Sequence, residues 1–143
     1  MFLGTYSPRL DDKGRLVLPA KFREGLAGGV VLTKGQDRSV VVWPADEFAD
    51  YSVRVREASR SDAKARAYSR VLFSSASDEA PDKQGRITIP QSLREYAALD
   101  GECAVVGNHA TVEIWAPDAW TTYLSTQEPV FADLSEEVVP GLF

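Results

Sequence analysis

The chain has 143 residues, 44% of them hydrophobic and 26% charged, which fits one medium domain or two small intertwined units. Sixteen bases against 21 acids give a net charge of -5, which excludes a chain that is basic all over but not one with a local basic face. One Cys and one His exclude a disulfide framework and an ordinary zinc cluster, and no apolar run reaches bilayer length. Asp11 stands too early for a signal peptide, so a reducing cytoplasm is the expected residence.

In chain order, the first bases to crowd together are Arg9, Lys13, Arg15, Lys21 and Arg23. Leu16-Val17-Leu18 reads as a short strand, preceded by a turn at Gly14 that calls for a positive φ. Pro19 ends the strand and starts a short helix to about Leu26, with Phe22 and Leu26 facing inward. Val30-Val31-Leu32 and Val40-Val41-Val42-Trp43 form a predicted hairpin, and Pro44 opens a helix carrying Phe48. Arg54 to Phe73 contains no Gly or Pro and reads as a basic connecting helix, whose bases are expected to be solvated or to touch a neighbouring subunit's acids, with a second DNA surface as the alternative.

Strands recur at Ile87-Thr88-Ile89 after Gly85, then a helix from Pro90 to about Ala97. A second hairpin follows at Cys103–Val106 and Thr111–Trp115, then a helix opened by Pro117 and carrying Trp120. Trp43, Trp115 and Trp120 are expected as core or interface anchors, Cys103 as a buried small hydrophobe, and His109 as a turn residue. From Thr126 onward the tail holds Glu128, Asp133, Glu136 and Glu137 and no base, and it ends with the apolar Val138-Val139 and Leu142-Phe143.

These elements repeat. The run from Asp11 to Arg23 has a partner 71 residues later, from Asp82 to Arg94, and both read D-x-[KQ]-G-R, three mostly apolar residues, P-x-x-[FL]-R. At an offset of 72, Gly35 then meets Gly107, Val40 meets Val112, Trp43 meets Trp115, and Tyr51 meets Tyr123. A unit of about fifty residues is too small to be stable alone, so the two copies should share a core about a pseudo-two-fold axis. The organisation expected is a first repeat over 1–53, a connecting helix over 54–73, a second repeat over 74–124 and an acidic tail over 125–143.

The opening Met1-Phe2-Leu3-Gly4-Thr5-Tyr6, the two D-x-[KQ]-G-R runs with their P-x-x-x-R continuations, Gly107 and Val112–Trp115 together resemble the MraZ family, a group within the SpoVT/AbrB-like swapped-hairpin DNA-binding proteins. The resemblance covers about Met1 to Leu124 and leaves the tail unexplained. It implies a mainly β fold with short helices, a duplicated β-barrel formed when two halves interleave their hairpins. It also implies a ring-shaped homo-oligomer and a nucleoid-associated transcriptional regulator of the division and cell-wall gene cluster. Its expected partner is double-stranded DNA, at short G-rich direct repeats, and the family's DNA-contacting arginines fall on Arg15 and Arg86.

The residues themselves support that chemistry. The Arg fork donates two hydrogen bonds to O6 and N7 of guanine. Gly14 and Gly85 let the backbone come close to phosphates. Lys13 supplies a point charge where the second copy has neutral Gln84, so the first turn is expected to bind more strongly. Arg9, Lys21, Arg23 and Arg94 are candidates for phosphate contacts that set register, although Arg23 and Arg94 also have Glu24 and Glu95 as neighbours. Asp11 and Asp82 are expected to accept hydrogen bonds within their turns and orient the arginines.

Two other function classes compete. Paired aspartates across a pseudo-axis suggest an acid–base dyad, but an Arg four residues after each Asp favours both staying ionised. There is no P-loop, nucleophile elbow or metal-ligand cluster, so neither catalysis nor a cofactor is expected. The other rival is an antitoxin-like interaction protein whose acidic tail captures a partner, although such proteins generally carry one copy of the repeat.

Overall fold

The computed structural model describes residues 1–141; Leu142 and Phe143, the last apolar pair of the tail, lie outside the described residues. The strands in chain order are β1 (Thr5–Tyr6), β2 (Arg15–Val17), β3 (Val30–Lys34), β4 (Val40–Pro44), β5 (Ser77–Glu79), β6 (Arg86–Thr88), β7 (Ala104–Asn108) and β8 (Thr111–Trp115). The helices are α1 (Arg23–Leu26), α2 (Ala45–Ser59), α3 (Ala63–Ser75), α4 (Gln91–Tyr96) and α5 (Pro117–Ala132), with a 3-10 turn over Ala20–Phe22.

The duplication governs the pairing. Six strands run in the order β1-β7-β8-β4-β3-β5. The hairpin β3–β4 takes its outer neighbour β5 from the second copy, and the hairpin β7–β8 takes β1 from the first, so the halves interleave. At the centre Val41 pairs with Glu113, its own counterpart at offset 72. The remaining strands, β2 and β6, pair with each other in a separate two-stranded ribbon, and there Leu16 meets its counterpart Ile87. The pseudo-two-fold axis therefore passes through both pairs.

The expected closed barrel is not what forms. The sheet is open, with β1 and β5 at opposite edges. These edge strands are two and three residues long, and the ribbon covers one face of the sheet instead of bridging its edges. Period-2 alternation explains the covering. Leu16, Leu18, Ile87 and Ile89 point inward and are buried against Val40, Val42, Val112 and Ile114. Phe22 and Leu26 of the first copy, and Leu93 and Ala97 of the second, complete the core as their spacing predicts. The opposite sheet face carries Trp43 and Trp115. Trp115 is buried with Trp120 of α5 beside it, and Trp43 packs on Phe48 and Tyr51 of α2.

Helix boundaries depart from the sequence reading in two places. The segment 54–73 is not one helix: α2 runs through to Ser59, and α3 starts after Asp62, whose carboxylate accepts from the Lys64 amide at 2.9 Å. Ser and Asp bond local backbone and so favour a break and a cap here. Helix α5 runs past Leu124 to Ala132 and includes Pro129, because nothing between Leu124 and Glu128 stops it.

Gly107 shows how tightly the segment before β1 is seated. A Cβ at this position would lie 2.6 Å from the Leu3 amide nitrogen and 2.7 Å from the Phe2 carbonyl oxygen, both backbone atoms that cannot swing away. Gly107→Ala is therefore expected to destabilise the fold by about 1–3 kcal/mol, as overpacking does. Gly28→Ala, where no atom lies within 4 Å, should be near neutral in the same thermal melts.

Candidate nucleic-acid interface

The outward face of the β2–β6 ribbon is the mirror of its buried one. Where Leu16 and Ile87 point in, Arg15, Val17, Arg86 and Thr88 point out, with Val17 and Thr88 exposed. Arg15 stands opposite Thr88 and Arg86 opposite Val17, so the two arginines are diagonal neighbours with backbones roughly 7–8 Å apart.

Each arginine is held by its own turn. In the first, the Asp11 Oδ1 accepts from the amides of Lys13 at 2.9 Å and Arg15 at 2.8 Å, and Oδ2 accepts from Arg15 Nε at 2.7 Å. The second repeats this: Asp82 Oδ1 accepts from the Gln84 and Arg86 amides at 2.9 Å, and Oδ2 from Arg86 Nε at 2.7 Å. The aspartates thus act within the turn as expected. Each takes Nε, and the two Nη groups of each arginine make no hydrogen bond among the described residues; the side chains of Arg15 and Arg86 are 32% and 28% exposed.

The positive φ read from sequence is present at both glycines, 77° at Gly14 and 76° at Gly85. A second constraint acts there. A Cβ on Gly85 would meet Arg23 Nε at 2.6 Å, and one on Gly14 would run into the Arg94 guanidinium. Each glycine therefore seats an arginine from the other copy. Arg23 Nε also donates to the Leu18 carbonyl at 3.2 Å. Neither Arg23 nor Arg94 forms an ion pair with Glu24 or Glu95; among the described residues the ion pairs are Arg15–Asp11 and Arg86–Asp82. Lys13 and Lys21 are exposed nearby. Arg9 is not a residue of the ribbon: its backbone is bridged to Glu102 and its guanidinium lies beside Gly101, while the next residue, Leu10, is bridged to Leu16 of β2.

The sequence reading missed three things. Val17 and Thr88 belong to the same outward face, which the strand period predicts once the ribbon is known. Lys83 fills the place that Asp12 has in the first copy, so the second turn regains a base where Gln84 had lost one. The crossing of Arg23 and Arg94 onto the opposite turns has no sequence signal.

Electrostatics follow the same bonds. The pKa of Asp11 is lowered, chiefly by the Arg15 amide and then by its side chain, and that of Asp82 is lowered by the Arg86 amide and side chain. Both carboxylates are thus ionised at neutral pH, as a proton-sharing dyad is not. A depressed carboxylate stabilises the fold above its unfolded value near 3.8, and that contribution is lost as pH falls through the lower folded value. An NMR titration should place the Asp11 midpoint below 3.8. Arg15→Ala should raise it without restoring the ordinary value, because the residue 15 amide still donates.

Among the described residues no cluster of three or more His, Cys, Asp or Glu could hold a metal, and no helix is long and apolar enough to cross a membrane. The family model described as "MraZ protein, putative antitoxin-like" matches twice, over residues 1–71 and 72–139. A protein of Salinispora tropica named transcriptional regulator MraZ is 60% identical over 142 residues, covering 99% of this chain and all of its own length. Proteins of the same name from Clavibacter michiganensis and Kocuria rhizophila are 58% and 59% identical, each over the full length of both chains. A chain matched end to end in this way, once in each of its interleaved halves, belongs to the MraZ family.

Proposed function

We propose that this chain is a sequence-specific, double-stranded-DNA-binding transcriptional regulator without catalytic activity, acting in the cytoplasm at the nucleoid. The β2–β6 ribbon enters the major groove, which is about 12 Å wide and admits two strands. Arg15 and Arg86 read guanine edges through their free Nη groups, while Lys13, Lys83, Lys21 and the flanking Arg23 and Arg94 meet phosphates. The observation that carries this reading is the pair of outward Arg forks, each fixed at Nε by its own aspartate, on one exposed ribbon. The relatives' name, transcriptional regulator, supports it.

The swapped SpoVT/AbrB-like half, a ring of identical subunits, and direct repeats upstream of a division and cell-wall gene cluster complete the proposal, by family resemblance. A net charge of -5 implies weak non-specific affinity, so several subunits act together.

Fluorescence anisotropy on the duplex immediately upstream of the chain's own gene, against a scrambled duplex and over a salt series, tests the proposal. Selective binding that weakens linearly in log salt is expected. Equal, feeble binding to every duplex would overturn it and leave a protein partner for the acidic tail as the surviving function.

A further inference from the structure

We infer that Val17 reads the C5-methyl group of a pyrimidine, one or two base pairs from the guanine that Arg86 contacts, and so sets specificity at a position that neither ribbon arginine reads. The inference rests on the DNA reading proposed above and adds a specificity-determining residue to that interface.

Between its two turns the ribbon points four side chains outward, Arg15 and Val17 from β2 and Arg86 and Thr88 from β6. Leu16 and Ile87, which lie between them, are buried. Any base edge that the ribbon meets beyond the arginines is therefore met by Val17 or Thr88. These two are not equivalent. Thr88 has a hydroxyl that donates or accepts as a base requires. Val17 presents only methyl groups, and it is 43% exposed between the buried Leu16 and Leu18. A lone exposed valine is ordinary on a protein surface. What sets this one apart is its neighbour.

The register supplies that neighbour. The Leu18 amide donates to the Gly85 carbonyl, and the Ile89 amide to the Gly14 carbonyl, both at 2.8 Å. Ladder bonds therefore fall at those two pairs and, by alternation, at Leu16–Ile87 between them. Val17–Arg86 and Arg15–Thr88 are the intervening non-hydrogen-bonded pairs, whose side chains stand closest, with Cβ atoms about 4.5–5.5 Å apart. Successive base pairs are about 3.4 Å apart. A base under Val17 thus lies one or two steps from the guanine under Arg86.

The major groove offers Val17 one kind of partner. Its readable groups all donate or accept hydrogen bonds, except the C5-methyl of thymine. Against a donor or acceptor, valine removes water and returns no bond, which is unfavourable. Against the methyl, it takes two apolar surfaces out of water together. The same methyl stands on 5-methylcytosine, so the chemistry recognised is the methylated C5 edge of either base. Guanine and methylpyrimidine are then read as one unit by Arg86 of the second copy and Val17 of the first. The matching unit sets Arg15 beside Thr88, whose hydroxyl accepts other bases, so only one of the two units demands the methyl.

Fluorescence anisotropy on the shortest upstream duplex that binds selectively tests this. Each thymine in turn is replaced by uracil, which removes the methyl alone. At one thymine, uracil is expected to weaken wild type about fourfold, equivalent to about 0.8 kcal/mol for one methyl-sized group. Val17→Ala should bind uracil and thymine equally there, with unchanged circular dichroism. Cytosine against 5-methylcytosine at that position separates the two sources. A methyl effect with both bases assigns the contact to the methyl whichever base carries it, and one confined to thymine assigns it to thymine alone. The inference stands on either, provided Val17→Ala erases the effect.

Uracil tolerated at every thymine would overturn the inference, and that measurement needs no variant. So would a uracil effect that persists in Val17→Ala, which would place the methyl against another side chain. Guanines replaced by 7-deazaguanine, which lacks N7, keep the two readings apart. Loss on 7-deazaguanine without loss on uracil leaves the arginine reading standing and removes Val17 from it. Indifference to both substitutions, with equal binding to a scrambled duplex, strikes the DNA reading itself and this inference with it.

Discussion

Exchanging both ribbon arginines, Arg15→Ala with Arg86→Ala, is expected to abolish selective DNA binding while leaving the fold intact. Each bidentate Arg–guanine contact is worth about 1–3 kcal/mol of discrimination. Two per copy amount to roughly 2–6 kcal/mol, or an affinity loss between about 30-fold and 10⁴-fold. The side chains are part-exposed, and their ion pairs with Asp11 and Asp82 are surface pairs of small worth, so melting temperature should change little. The Arg15→Lys, Arg86→Lys variant separates charge from shape. It keeps the positive charge and every phosphate-contacting base, and therefore most of the salt dependence, but lacks the fork and should lose most of its preference for the upstream over the scrambled duplex. Retained selectivity in either variant would remove these two residues from the reading surface.

The second large effect is expected directly beneath them. Leu16 is wholly buried on the pseudo-axis, paired with Ile87 and packed within the common core. Leu16→Ala removes three carbons from a place where both copies meet, so neither can close the space by moving alone. A loss of about 2–5 kcal/mol in urea unfolding is expected, the range for buried leucine truncation. That is a large share of a domain's usual 5–15 kcal/mol. Ile87→Val, one methylene smaller on the other side of the axis, should cost about 0.5–1.5 kcal/mol. Similar values for both would mean that the ribbon is not packed as described.

Much of this was legible in the residues. The D-x-[KQ]-G-R turns predicted a positive φ at Gly14 and Gly85 and an aspartate turned inward, because local spacing alone decides both. Hairpins and buried helix faces followed from periodicity. The barrel did not, because closure depends on which edges meet, and β1 and β5 are too short for their composition to say. The break at Ser61-Asp62 was visible as cap residues but was outweighed by the helix formers on either side. The seating of Arg94 on Gly14 and Arg23 on Gly85 joins residues 80 and 62 positions apart, and no local pattern encodes it.

The pseudo-two-fold axis through Leu16 and Ile87 has one more consequence, for polarity. A ribbon with that symmetry, laid in the groove as proposed, presents nearly the same face whichever way round it sits, just as a palindrome does. Direct repeats, by contrast, require every subunit to point the same way along the DNA. Four differences between the halves can break the tie: Asp12 against Lys83, Lys13 against Gln84, Val17 against Thr88, and Lys21 against Ser92. Orientation along the promoter would then be written in the mismatches of the duplication rather than in the arginines that its copies share.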